Sequence, residues 1–485
     1  MKAVIMAGGR GKRIASLDSS IPKPMFRLCG KPILEYQLQW LKKQEIDEVI
    51  LVTGYLGHVI REYFGDGTGA APAGGKTIGI PLKYINEETP LGTAGALYYL
   101  KDTMKEDFLL INGDIIFDID LERFYKAHQT FGGLATILTH PNDHPFDSGI
   151  IEADEKGLVR EWLHKEDKRK WYGNRVNAGI HILSPGLFLH AERRGLFKQP
   201  QRVDLDREIL RPLIEDRQLY AYMSPEYVKD MGTPERYRMV ERDLLKGKVE
   251  KRNLSRRQKA VFLDRDGTMN EYRGYIRTPE DLVLLPGTGK AVKRLNESGY
   301  LVIVVTNQPV IARGELTEEQ LREIHDRMET LLGEQGAYVD DIFYCPHHPD
   351  GGFPGEVASL KIPCSCRKPE PGMLLKASDK YNIDLKNSWM AGDSERDMRA
   401  GKAAGCHTAG VGGLQNADFT CGSLAEFVDF YWEGKKEIKP EKRTGMREET
   451  KIKMLDIRFN AVKQEQLLEE VFRNIEEKRC PVLCS

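Results

Sequence analysis

Asp264 and Asp266 stand two residues apart in Val261-Phe262-Leu263-Asp264-Arg265-Asp266-Gly267-Thr268, directly after an apolar run. A strand ending there would deliver both carboxylates to one place. One oxygen could attack phosphorus while the second carboxyl protonates the leaving oxygen, and like charges this close need a nearby cation. Downstream stretches supply the other parts of a phosphoryl-transfer site. Val305-Thr306-Asn307-Gln308 offers a hydroxyl and amides, Arg367-Lys368-Pro369 offers cations, and Gly392-Asp393-Ser394-Glu395-Arg396-Asp397 offers acids for Mg²⁺. Between them, Cys345-Pro346-His347 and Cys364-Ser365-Cys366 present three thiolates and an imidazole. That donor set matches a closed tetrahedral Zn²⁺ site of structural type, with His348 as the neighbouring alternative ligand.

A second constellation lies at the other end of the chain. Gly8-Gly9-Arg10-Gly11-Lys12-Arg13 follows an apolar run, and a glycine-rich turn there lets backbone N–H groups approach phosphates closely. Lys23-Pro24, Glu88-Thr89-Pro90-Leu91-Gly92-Thr93-Ala94-Gly95, Asn112-Gly113-Asp114, Asn177-Ala178-Gly179 and Asp230-Met231-Gly232-Thr233-Pro234 follow in order. Together they read as a site for a nucleoside triphosphate and a second phosphate ester. Asp114 and Asp230 could hold a hard cation bridging phosphate oxygens, and Lys23 and Lys165 could neutralise developing charge.

The elements that must position these groups are legible as alternation. Strands are predicted at Ala3–Ala7, Val49–Thr53, Leu82–Asn86, Phe108–Asn112 and Ala135–Thr139, with helical spacing over Ile33–Lys43. Alternation resumes at Ala260–Leu263, Leu301–Thr306, Asp341–Tyr344 and Ser388–Ala391. Strand-helix alternation predicts mostly parallel sheets covered by helices. The division is residues 1–245, an exposed basic linker at 246–258, a second α/β domain at 259–433, and a charged, incomplete α/β tail at 434–485.

Lys and Arg number 72 against 73 Asp and Glu, so no global field recruits nucleic acid or an anionic membrane. No apolar run approaches the ~20 residues of a membrane span, and basic residues follow the short N-terminal one, unlike a signal peptide. Eight cysteines in 485 residues are too sparse for a disulfide scaffold and suit a reducing cytoplasm.

The first constellation along the chain, over most of residues 1–240, resembles the sugar-1-phosphate nucleotidyltransferase family. The resemblance implies attack of a sugar 1-phosphate on the α-phosphorus of an NTP, with Mg²⁺ at Asp114 and Asp230. It assigns the triphosphate to Gly8, Gly9, Gly11, Arg13 and Lys23, the last two being catalytic. Gly92 and Gly95 would lie by the base, Asn177 and Gly179 by the sugar, and Lys165 by its phosphate. Lys12 and His164 depart from the family's usual Thr and Glu.

The second resembles the haloacid-dehalogenase (HAD) phosphatases. Asp264 would be the nucleophile, Asp266 the general acid/base, and Thr306 and Lys368 the stabilisers. Mg²⁺ would lie among Asp264, the Asp266 carbonyl and Asp393, with Asp397 orienting. The Cys-x-His and Cys-x-Cys pairs narrow this to the group of D-glycero-D-manno-heptose 1,7-bisphosphate 7-phosphatases and histidinol-phosphate phosphatases. That group implies Cys345, His347, Cys364 and Cys366 as zinc ligands. It also implies phosphosugar contacts from Arg273, Gly274, Tyr275, Asn307, Arg367 and Lys368, with Pro309-Val310 replacing its usual Ser-Gly.

The implied architecture is two Rossmann-like α/β domains in tandem, a nucleotidyltransferase fold then a HAD fold, plus a short tail. The implied activity is removal of the distal phosphate from a heptose bisphosphate and nucleotidyl transfer, from GTP, to the heptose 1-phosphate. Alternatives are a histidinol-phosphate-type phosphatase fused to a transferase for another sugar, or one half being a silent regulatory module.

Overall fold

The computed structural model describes residues 1–9, 20–69 and 77–433. Arg10, Gly11, Lys12 and Arg13, and the tail from 434 to 485, lie outside the described residues. Met1–Trp432 form one compact unit containing two large sheets.

In the first sheet, Lys2–Met6 pairs in parallel with Glu48–Thr53 and Phe108–Asn112, and Leu82–Asn86 extends the parallel part. Lys2–Met6, Glu48–Thr53 and Phe108–Asn112 are buried on both faces, which is why they read as near-continuous apolar runs; Leu82–Asn86 is the edge strand. Ala3 and Ile5 face a core containing Leu34, Leu38 and Leu41 of the helix Ile33–Lys43, while Val4 faces a second core with Ala96, Leu97 and Leu183.

The expectation of a mostly parallel arrangement fails for this sheet, which is mixed. Val176–Leu183 runs antiparallel to Phe108–Asn112 and Ala135–His140, and Ile150–Ala153 runs antiparallel to Val159–Leu163. The last reversal closes within a short turn in which Gly157 adopts a φ of 79° and donates to Asp154 O at 2.9 Å. That span is too short for the crossover helix a parallel pair requires. A separate ribbon pairs Ile115–Asp118 with Tyr227–Asp230 and sets Asp230 opposite Ile115, next to Asp114.

The second sheet is wholly parallel, in the order Asp341–Cys345, Leu301–Asn307, Ala260–Leu263, Trp389–Gly392, His407–Gly410, Phe419–Thr420. Thr288–Ser298 and Glu318–Gly333 cover one face; Gly372–Tyr381 and Glu395–Ala404 cover the other. Parallel strands bring their carboxyl ends to one edge, where ligands bind in such folds. Asp264, Thr306 and Asp393 all emerge there.

The segment 246–258 is not the exposed linker its composition predicts. Val249, Arg252, Asn253, Leu254 and Gln258 are buried. Their polar groups are used: Arg252 pairs with Asp340 at 2.7 Å, Asn253 donates to Asp118 at 2.7 Å, and Gln258 Nε2 reaches Asn253 O at 2.8 Å. Among the described residues no helix is long and apolar enough to cross a membrane.

Candidate active sites

At the carboxyl edge of the second sheet, Lys368 is the hub. Its Nζ donates to Asp264 Oδ1 at 2.6 Å and Val305 O at 2.8 Å and lies 2.6 Å from Asp397 Oδ1. Asn307 clamps the Lys368 backbone from both sides, donating to its carbonyl and accepting its amide at 3.0 Å each. Asn307, expected at the sugar, is thus engaged in holding the lysine. Burial and the Asp397 charge push Asp264 up to about 7, against the opposing pull of Lys368.

Asp266 differs. Burial opposes its ionisation, yet Arg265, Asn270 and Gln308 together keep its carboxyl below the usual range. Arg265 NH2 donates at 2.9 Å, Gln308 Nε2 at 3.0 Å and Asn270 Nδ2 at 3.1 Å. Gln308 also reaches Thr306 Oγ1 at 2.8 Å. Sequence reasoning singled out neither Arg265 nor Gln308, although both lie inside its motifs; their types alone do not show that they converge on Asp266.

Ligand atoms of Asp264, Asp393 and Asp397 lie within 4.8 Å of one another. Four carboxyl groups here, including Asp266, face two cations, Lys368 and Arg265, so acids outnumber cations. Hard oxygens with that excess fit a divalent cation. Gly267, at φ 86°, allows the approach: a Cβ there would sit 2.0 Å from Asp393 Oδ2. Arg265 NH1, Thr268 Oγ1 and Asn270 Oδ1 are buried with no hydrogen-bond partner among the described residues.

The cysteine-histidine group closes on itself. Cys345, Cys364 and Cys366 sulfurs are 3.3–3.6 Å apart, and His347 Nδ1 lies 3.3 Å from Cys366 Sγ and 3.7 Å from Cys345 Sγ. His348 instead accepts the Asp350 amide at 3.1 Å. Arg367 ties this loop to the site by donating to His347 O at 3.2 Å. Farther out, Arg273 pairs with Glu271 at 2.7 Å, Gly274 adopts φ 73°, and Tyr275 packs under Arg313. Arg313 is held between the Tyr275 and Phe353 rings, 4.5 and 4.1 Å from their centroids; it stands just beyond Pro309-Val310, and its type alone does not mark it as a site residue.

The first sheet opens on two adjoining cavities. One, roughly 640 Å³, is lined by Gly8, Gly9, Lys23, Gly92, Asp114 and Gly232, with Glu87 at its wall. A Cβ on Gly8 would meet Glu87 Oε2 at 2.9 Å, so glycine keeps the turn against that carboxylate. Gly92 has φ 82°, and its Cβ would lie 2.5 Å from Val203 O; a Cβ on Gly95 would meet Gln201 O at 2.3 Å. Gly95 does not line this cavity and serves close packing on residues 201–203. Lys23 donates to Asp114.

The second cavity, roughly 520 Å³, is lined by Lys165, Asn177, Gly179, Asp230 and Arg236. Asn177 Oδ1 accepts the Gly179 amide at 3.0 Å, and Gly179 at φ 73° passes against Asn112. Lys165 is exposed, beside a His164 ring stacked on Trp162. Arg236 NH1 contacts both Asp230 oxygens at 2.9 and 2.7 Å. Its charge outweighs burial and holds that carboxyl below the usual range. Arg236 was not foreseen, because it enters from the helix Pro234–Leu245.

The family described as nucleotidyl transferase matches residues 2–247, and that described as haloacid dehalogenase-like hydrolase matches residues 126–405. The chain belongs to both families: it carries a nucleotidyltransferase and a HAD-type phosphatase. The matched spans overlap, but the parallel sheet bearing Asp264 begins at Ala260. Among curated relatives, the D-glycero-beta-D-manno-heptose-1,7-bisphosphate 7-phosphatase of Yersinia pestis is 44% identical over 149 residues, 31% of this chain and 77% of that protein. Its counterpart from Haemophilus ducreyi is 40% identical over 183 residues, 36% of this chain and 98% of that one. Among solved structures, HddC from Yersinia pseudotuberculosis aligns at 24% identity and a TM-score of 0.41, covering 50% of this chain and 99% of that one.

Proposed function

We propose that the chain makes a nucleotide-activated heptose in two steps: it dephosphorylates D-glycero-D-manno-heptose 1,7-bisphosphate at position 7, then transfers GMP from GTP to the resulting 1-phosphate. The carrying observation is that a phosphatase similar to heptose bisphosphate 7-phosphatases shares a chain with a nucleotidyltransferase. A 7-phosphatase leaves a sugar 1-phosphate, the acceptor class a sugar nucleotidyltransferase uses. The histidinol-phosphate alternative provides no such link.

In this reading residues 1–245 and 259–433 are the two domains, joined through 246–258. Asp264 attacks the 7-phosphoryl group to form a phosphoaspartate. Lys368 and Thr306 hold the transferring oxygens, and Asp266, once it has taken up a proton, passes it to the leaving oxygen and then accepts one from water. Mg²⁺ held by Asp264, the Asp266 carbonyl and Asp393 would neutralise phosphoryl charge. Zinc on Cys345, His347, Cys364 and Cys366 would pin the loop carrying Arg367; the 3.3–3.7 Å spacings suit four ligands around one ion. Arg273, Gly274 and Tyr275 border the sugar.

In the transferase, Gly8, Gly9, Gly11, Arg13 and Lys23 cradle the triphosphate, with Gly92 on the base side and Gly95 behind it, packed on Gln201. Asp114 and Asp230 would hold Mg²⁺, which would neutralise phosphate charge there, while Asn177, Gly179 and Lys165 take the sugar phosphate. Glu87 supports guanine, whose N1–H and N2–H₂ donors suit a carboxylate acceptor at the cavity wall. Six free cysteines among the described residues agree with a cytoplasmic location.

Given heptose 1,7-bisphosphate, GTP and Mg²⁺, the purified chain should release phosphate first and pyrophosphate second. It should contain about one zinc per chain by elemental analysis. Removal of the anomeric phosphate, a preference for histidinol phosphate by orders of magnitude in kcat/KM, or transfer from another NTP alone would each overturn the assignment it bears on.

A further inference from the structure

Three segments lining the acceptor cavity of the transferase rest on the phosphatase half. They are residues 140–148, the run 172–177 leading into Asn177, and 225–230, which carries Asp230. Pro145, in the first, packs on the end of Glu318–Gly333: a Cβ on Gly333 would meet the proline ring at 2.6 Å. In the second, the Tyr172 amide donates to Thr330 Oγ1 at 3.1 Å, and Arg175 donates to Glu329 Oε1 at 3.0 Å. The third is held by Arg252, whose Nε donates to Pro225 O at 3.1 Å while its NH2 takes Asp340 at 2.7 Å. Tyr338 of the phosphatase half itself lines the cavity.

These contacts gather at the amino-terminal edge of the second sheet. Asp340 immediately precedes Asp341–Cys345, and Tyr300, whose carbonyl also accepts from Arg252 at 3.2 Å, precedes Leu301–Asn307. The phosphatase chemistry sits at the opposite edge, roughly 20 Å away for a seven-residue strand at ~3.3 Å per residue. A merely tethered pair of domains would not bury Arg252 and Asp340 against each other, because ions taken from water need partners in fixed geometry.

We propose that the phosphatase half is a template for the acceptor pocket of the transferase. Docking positions the sugar 1-phosphate, whereas triphosphate binding and dephosphorylation proceed independently of it. Arg175, Glu329 and Thr330 are positioning residues in this scheme. The inference rests on the acceptor assignment made above. Its energetic basis is that displacing an attacking oxygen by about 1 Å can cost ~100-fold in rate.

The test compares kcat and KM for GTP and for the best acceptor among glucose, mannose and heptose 1-phosphates, with phosphatase turnover measured on the same protein. Which acceptor the wild-type chain prefers decides the substrate reading. The inference is decided by how variants differ from wild type with that acceptor. Arg175→Ala should lower acceptor kcat/KM roughly tenfold or more, leave the KM for GTP within about twofold, and leave the phosphatase unchanged. Arg175→Lys should recover much of the loss. Should Arg175→Ala fail to fold, Thr330→Val, which removes the hydroxyl contacts to Tyr172 and one bond to the Asp326 carbonyl within its own helix, should give the same selective loss at about threefold. Unchanged acceptor kinetics in a folded variant, equal losses for GTP and acceptor, or a phosphatase defect would overturn the template.

Discussion

The two edges of the second sheet both bury charge, and they treat it in opposite ways. At the amino-terminal edge Arg252, Asp340 and Asp341 are each matched. Arg252 takes Asp340, whose other oxygen accepts the Val302 amide at 2.7 Å; Asp341 takes Lys380 at 2.8 Å and the Tyr381 hydroxyl at 2.7 Å. At the carboxyl-terminal edge Asp264 and Asp397 share one lysine, acids outnumber cations, and Arg265 NH1, Thr268 Oγ1 and Asn270 Oδ1 have no partner among the described residues. A saturated pair has no bonding capacity left for a ligand. Buried donors and acceptors left open are costly, and a site tolerates them where a substrate or cation completes the set. Saturation therefore separates the ion pairs that hold the two halves together from those that perform chemistry.

The strongest way to break that comparison is at Asp264. Asp264→Asn keeps the size and removes the nucleophile, so phosphatase turnover should fall by about 10⁴-fold while nucleotidyl transfer stays within about twofold. Loss of both activities in a folded protein would mean that the edges are not functionally separate. The next effect in size is on stability. Arg252→Met leaves Asp340, fully buried, without its cation, and should destabilise the chain by about 3–5 kcal/mol in urea unfolding. Adding Asp340→Leu should restore part of the loss, since two apolar groups in place of a matched pair are tolerated far better than one unmatched ion. A cost below about 1 kcal/mol, typical of an exposed pair, would break the assignment of this edge as a holding surface.

How much of this was legible depended on whether partners lie near in the chain. Phe108–Asn112 and Ala260–Leu263 coincide with the predicted strands, because most of their side chains are apolar and buried; Leu82–Asn86 coincides as well, although it is an edge strand in which only Leu82 is buried. Val176–Leu183 is a strand that its sequence pattern does not announce. Asn177, Gly179 and His181 interrupt the apolar pattern, and they are accommodated by bonding one another: Asn177 Oδ1 accepts from the Gly179 amide at 3.0 Å and lies 3.1 Å from His181 Nε2. The basic segment 246–258 looked solvated because the acid that neutralises Arg252 lies 88 residues away. Asp264, Asp266, Lys368 and the cysteine pairs were legible as short motifs whose types suffice to name a chemistry. Gln308 was not, since only folding brings it to Asp266 across 42 residues; Arg236 lies only six residues from Asp230, but on a helix whose charged residues look alike in sequence.

The finest test of the saturated edge is Glu226, buried where 225–230 meets the connecting segment. Its Oε1 accepts the Asp120 and Leu254 amides at 2.8 Å each, and its Oε2 accepts the Ser224 hydroxyl at 2.8 Å, with no cation in contact. Burial outweighs those bonds and raises its carboxyl from 4.5 to about 7. Between those values the folded chain keeps the proton that the unfolded chain has released. The folded state then binds more protons, so this group's contribution makes stability fall as pH rises from 4.5 to 7, and it levels above. Glu226→Gln retains an oxygen for the two amides and cannot ionise. It should match wild type near pH 4.5 and be more stable at pH 8, by at most about 3 kcal/mol, with the gap opening through that window. Thermal midpoints of both proteins across pH 4.5–8 provide the measurement. A constant gap, or one that opens as pH falls, would mean that Glu226 is ionised in the folded chain and that this edge holds an unmatched charge after all.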